Sequence, residues 1–119
     1  FNLKINNSVF ELINLLDKKN LSAISYLNNF KLDTSEVLGM IALFAKHYQE
    51  LLNLKLTDNP SSLKMPDWLL KKKKSVANLY SEQQLRKKLL LILQADAAVK
   101  NHNLGMQTVI IHLVKSLCA

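Results

Sequence analysis

Residues 85–101, LRKKLLLILQADAAVKN, read as one helix with more apolar residues than a single face can hold. Ser81 and Gln84 have the spacing of a capping box, so the helix opens there and runs to about Lys100. At about 100° per residue, Leu85, Leu89, Ile92 and Asp96 share one face, where the Asp96 carboxylate must find a partner or lose its charge. Lys100, four residues on, supplies that partner in the acid-first order the helix dipole favours. The pair is expected to be structural, because a lone acid without a second titrating group rarely does chemistry. After LLLIL come Ala95, Ala97, Ala98 and Val99, which leave little polar surface. A helix apolar nearly all round is either central to its own bundle or shared with a partner.

The flanking segments are helical too. Ser8 with Glu11 has capping-box spacing, and Val9, Phe10, Leu12, Ile13, Leu15 and Leu16 predict a first helix over 9–17. Asn20 is placed to cap a short second helix carrying Leu21, Ile24 and Leu27 and ending near Asn28 or Asn29. Asp33, Thr34 or Ser35 offers the cap of the longest helix, expected to reach Leu56. Its stripe is Val37, Leu38, Ile41, Phe44, Ala45, Tyr48, Leu51 and Leu52, widened by Met40, Leu43 and Leu54, so this helix is expected to be central. A turn-rich loop spans 57–64, and Pro66 suits the first turn of a fourth helix containing Trp68, Leu69, Lys71, Lys72, Lys73, Lys74, Val76 and Leu79. A polar break over 101–104 precedes a sixth helix with Met106, Val109, Ile110, Leu113, Val114 and Leu117. Phe10, Phe44, Tyr48, Trp68 and Tyr80 are expected as core anchors. The fold class predicted is all-α, a compact bundle of five to six helices forming a single domain over 1–119. Because the third and fifth helices both suit the centre, burial against other chains resolves the excess apolar surface.

Composition narrows the function. The run Leu89 to Leu93 is five residues, far short of the ~20 that span a bilayer, and no signal peptide is seen, so no membrane partner is expected. Cys118 is the single cysteine and is expected to be a thiol at a frayed end; nothing points to an oxidising compartment, which makes the cytoplasm the default. His47, His102 and His112 have no metal-ligand spacing. Phosphate-loop, dinucleotide and nucleophile-elbow motifs are missing, so no catalytic, cofactor or metal residue is assigned. The first residue is Phe, and the chain reads as a piece of a longer protein.

The net charge is +7, and its excess lies in the second half. Residues 1–59 balance six Lys against six acids, while 60–119 set ten Lys or Arg against Asp67, Glu82 and Asp96. Lys71, Lys72, Lys73, Lys74, Arg86, Lys87 and Lys88 are the candidates for contact with DNA or another polyanion. Four consecutive Lys fan around a helix, however, and without interleaved aromatics a solvated surface is the simpler reading.

The order of these segments resembles the C-terminal domain of the bacterial DNA polymerase III delta subunit, a clamp-loader family. The resemblance is carried by VFELIN at 9–14, MIALFAKHYQELLNLK at 40–55, the proline-led basic segment at 66–77, LYSEQQL at 79–85, the aliphatic segment with Asp96 at 89–100, and the closing helix at 106–117. It departs at FNLKINN and at 101–103, where the family commonly has a Gly-containing turn. The resemblance implies an α-helical collar through which delta joins the gamma or tau and delta-prime subunits in a ring of five. That ring loads the sliding clamp onto primed DNA as part of the DNA polymerase III holoenzyme, a DNA-directed DNA polymerase. In the family the clamp-opening element and a degenerate ATPase-like fold lie in N-terminal domains, so this domain is not expected to be an enzyme. On this reading Leu90, Leu91, Gln94 and Ala98, away from the Leu85, Leu89 and Ile92 face, are expected to meet neighbouring subunits. The alternative is an autonomous helical nucleic-acid-binding module using the basic second half, which predicts steep salt dependence.

Overall fold

The computed structural model describes residues 3–57, 64–101 and 105–119, with side chains from Ser8 onward. The described residues form α1 (Leu3–Asp17), α2 (Ser22–Tyr26) continued by a 3-10 turn (Leu27–Asn29), α3 (Thr34–Leu56), α4 (Asp67–Ala77), α5 (Glu82–Lys100) and α6 (Met106–Cys118). The all-α bundle of six helices is as expected. The loop predicted over 57–64 and the break over 101–104, His102 included, fall mostly on 58–63 and 102–104, outside the described residues.

Local chemistry sets most boundaries. Asp33 caps α3 by accepting the Glu36 N–H at 2.8 Å, and the buried Glu36 carboxylate in turn accepts the Lys31 N–H at 3.0 Å. Ser81 and Gln84 close a full capping box at α5, at 3.1 and 2.7 Å. Asn20 also acts as expected, its Oδ1 accepting the Ser22 N–H at 2.9 Å. The start of α1 differs from expectation. The helix begins six residues before Val9, because LKINN contains no Pro or Gly to stop it, and Ser8 lies in its interior, where it caps nothing.

The end of α1 has no glycine, yet it closes as a Schellman motif. The Asn20 N–H reaches the Leu15 carbonyl at 2.9 Å and the Lys19 N–H the Leu16 carbonyl at 3.0 Å, with Lys19 itself in the left-handed region at φ 54°. This reversal lays α2 back against α1.

Helix α3 is the axis of the bundle. It packs most extensively on α5 and also touches α1, α4 and α6, and its Val37, Met40, Phe44, Tyr48 and Leu51 are sealed from solvent. Leu12 and Leu16 of α1, Leu85 of α5, and Ile110 and Leu117 of α6 complete the core around it. Each such side chain contributes about 1.5–3 kcal/mol by burial.

The buried stripe of α5 is Leu85, Lys88, Ile92, Ala95 and Val99. It is rotated from the expected face, which leaves Leu89 and Asp96 only half-buried. Lys88 is part of this stripe, its stem lying in the core and its buried ammonium donating to the Leu117 carbonyl at the end of α6. Two further expectations are corrected. Phe10 and Trp68 are not core anchors but are 51% and 69% exposed, whereas Phe44, Tyr48 and Tyr80 are buried. Cys118 is not at a frayed end: it is buried, with Sγ 3.4 Å from the Asn20 carbonyl, and burial pushes its thiol pKa up although Lys88 pulls it partly back.

Candidate functional site

Two apolar surfaces are left open by this packing, and a polar network lies beneath one of them. The first surface is on α5. Leu90 and Leu93 are 53% and 64% exposed, and Ala97, one turn beyond Leu93, is exposed as well. Spacings of three and four residues align them on one stripe between Arg86 and Lys100. Beside the stripe runs a groove of about 400 Å³ between α3 and α5, lined by Ile41, Ala42, Ala45, Leu89, Leu93 and the acid Asp96. Small Ala side chains on α3 keep this groove open.

Of the interface residues expected from sequence, Leu90 and Gln94 are exposed, while Leu91 and Ala98 are half-buried and packed against the core. Leu93 and Ala97 replace them on the open face. The signal was present in the spacing, but it required the true core stripe of α5 as the origin. Asp96 meets Lys100 as expected, Oδ2 to Nζ at 2.8 Å, and both side chains retain solvent contact.

The second surface is a cleft of about 410 Å³ between α1, α3 and α4. Phe10 and Trp68 stand at it as exposed rings, and Ile13, Leu43, Leu69 and Val76 line it. Sequence periodicity contains the reason for both exposures. Phe10 is about 130° off the centre of the Val9, Leu12 and Leu16 stripe, and Trp68 lies nine residues before the buried Ala77, two and a half turns away and so on the opposite side of α4.

In the wall of this cleft a chain of hydrogen bonds joins three helices. Tyr80 donates its hydroxyl to Asp17 Oδ1 at 2.8 Å, and His47 Nε2 lies 3.0 Å from Asp17 Oδ2. Lys73 Nζ lies 3.3 Å from His47 Nδ1 and 3.1 Å from Glu50 Oε2. An ammonium only donates, so Nδ1 accepts and the ring proton sits on Nε2, aimed at Asp17. An acid orienting a histidine is part of many hydrolytic sites. Here both ring nitrogens are spent, on Asp17 and Lys73, and neither faces a nucleophile. The pair ties α1 to α3 and, through Lys73, to α4. Burial, with Asp17 adding to it, pushes the Tyr80 phenol pKa well above its usual value. Among the described residues no cluster of three His, Cys, Asp or Glu could hold a metal ion, and His112 is exposed away from any such group.

The basic residues do not act alike. Lys88 is buried and excluded from polyanion contact: its Nζ donates to the Leu117 carbonyl at 2.7 Å and lies 5.4 and 6.0 Å from the Tyr80 and Tyr48 ring centroids. A cation at the C-terminal carbonyls of α6 is favoured by the helix dipole. Burial and, next, the Lys19 charge lower its pKa. Lys73 is engaged by Glu50, and Arg86 pairs with Glu82 at 3.0 Å. Lys71, Lys72, Lys74 and Lys87 are exposed.

The described fold and surfaces thus define a helical module with open apolar faces. Compared with protein-family models, curated proteins and solved structures, the chain has no match. Among the described residues no helix is long and apolar enough to cross a membrane.

Proposed function

We propose that this chain is an assembly domain of the clamp-loader collar type, the C-terminal domain of a delta-like subunit that joins gamma or tau and delta-prime subunits in the ring that places the sliding clamp on primed DNA. The single observation supporting it is the Leu90, Leu93 and Ala97 stripe on α5 beside the α3–α5 groove. Leu90 and Leu93 are more than half exposed on consecutive turns and with Ala97 form a contiguous apolar stripe, the kind of surface that supports contact with a partner. A neighbouring helix laid along this stripe would bury them, and a helix pair of this size supplies much of the ~1,600 Å² of a stable interface. The order of sequence segments supports this choice of partners, and the stripe supports the contact. On this reading the domain positions subunits and performs no bond-making step itself, and its partners lie in the cytoplasm.

The test is size-exclusion chromatography with light scattering on the chain alone and mixed with collar domains of gamma or tau and delta-prime, at low and high salt. A salt-resistant complex that Leu93→Asp abolishes is expected. A monomer under every condition, or one that shifts only with primed DNA at low salt, overturns the proposal; the latter outcome would favour the nucleic-acid module.

A further inference from the structure

We propose that the cleft between α1, α3 and α4 is a docking site for an acidic peptide that inserts a bulky apolar side chain. The site shares no lining residue with the α5 groove and does not rest on the collar reading. Its size admits a large apolar side chain: about 410 Å³, lined by Ile13, Leu43, Leu69 and Val76, with the Phe10 and Trp68 rings exposed at it. Aromatic rings in a concave apolar site are the usual anchors of recognition.

Charge selects the peptide. Lys46 of α3 and Lys72 of α4 line the same cleft, are exposed, and form no ion pair with any described residue. Lys73, between them, is neutralised by Glu50. Two free ammonium groups beside an apolar cleft complement carboxylates flanking an apolar anchor.

The interior also discriminates against a nucleobase. A base carries donors and acceptors on its edges, and these need partners when buried. The least exposed polar groups of the wall are already committed to one another: Asp17 to Tyr80 and His47, and His47 to Lys73. An aliphatic or phenyl side chain makes no demand on them.

Trp68 is the only tryptophan of the chain, so its emission reports the cleft directly. The 119-residue chain is titrated with the blocked peptides EELFEE, KKLFKK and EEGGEE and with an oligothymidylate. Expected is a saturable blue shift with EELFEE, with EEGGEE and KKLFKK weaker by about tenfold or more. The double variant Lys46→Glu with Lys72→Glu changes two exposed positions, keeps its helical circular dichroism, and reverses the preference to KKLFKK. Phe10→Ala weakens EELFEE about tenfold. Absence of a saturable shift with EELFEE, equal binding of the lysine-flanked or glycine peptide, or a shift produced by oligothymidylate in preference to EELFEE each overturns the proposal.

Discussion

Tyr48 and Tyr80 pack edge to face with ring centroids 6.1 Å apart, yet their hydroxyls have opposite fates. Tyr80 donates to Asp17, whereas the Tyr48 hydroxyl is sealed in the core with no well-formed hydrogen bond, only a weak interaction with the Tyr80 hydroxyl. The same oxygen deleted at the two sites therefore has different consequences. Tyr80→Phe is expected to cost about 1–3 kcal/mol in urea unfolding, because a nearly buried carboxylate loses a charge-assisted donor. Tyr48→Phe is expected to be neutral or stabilising, by up to about 1 kcal/mol, since it removes a desolvated group that lacks a well-formed hydrogen bond. Equal losses would refute this assignment. Lys88 gives a pH signature. Its folded pKa lies below the ordinary lysine value of 10.5, so between the two the unfolded chain binds the extra proton and stability rises with pH. Relative to Lys88→Met, which keeps the stem and removes the titrating group, the native protein is expected to gain stability as the pH rises from the depressed folded pKa toward 10.5. A flat difference across that range would contradict a desolvated ammonium.

At the scale of the element, helix starts are local events, and those that depend on neighbouring side chains were legible. Asp33, one of three neighbouring candidates, is the cap of α3, and Ser81 with Gln84 functions as its spacing implied. Because Ser81 and Gln84 are solvent-exposed, Ser81→Ala is expected to cost about 1 kcal/mol without altering the bundle, read as a lowered thermal midpoint with unchanged circular dichroism. The Ser8 and Glu11 spacing, identical on paper, misled because a capping box is meaningful only where the preceding residues leave the helix. The rotation of α5 was legible only in part. Leu85, Lys88, Ile92, Ala95 and Val99 have a regular helical spacing, but the lysine interrupts the apolar pattern, and the apolar residues alone point to a face through Leu89 and Asp96.

For the whole molecule, what matters is which apolar residues remain after α3 has been surrounded. Leu91 and Leu93 are two residues apart and chemically identical, but Leu91 packs against the core and Leu93 is open. Leu91→Asp is therefore expected to lower stability by about 2 kcal/mol or more, from a charge forced against the core, while Leu93→Asp changes stability by under about 0.5 kcal/mol and removes assembly. Urea unfolding and light scattering on the two variants separate the effects. The exposed rings of the second cleft have the same origin: α4 presents Ala77 to the bundle and so turns Trp68 outward.

The all-helical class, six helices, the caps of α3 and α5 and the Asp96–Lys100 pair followed from the chain alone, because each depends on residues within a few positions of one another. The inward turn of Lys88, the burial of Cys118 and the linkage of Asp17, His47, Lys73 and Tyr80 did not, since their partners are dozens of residues distant and meet only when helices pack. Hydrogen bonding along a helix is set by neighbours in sequence; which face of that helix loses its water is set by its neighbours in space.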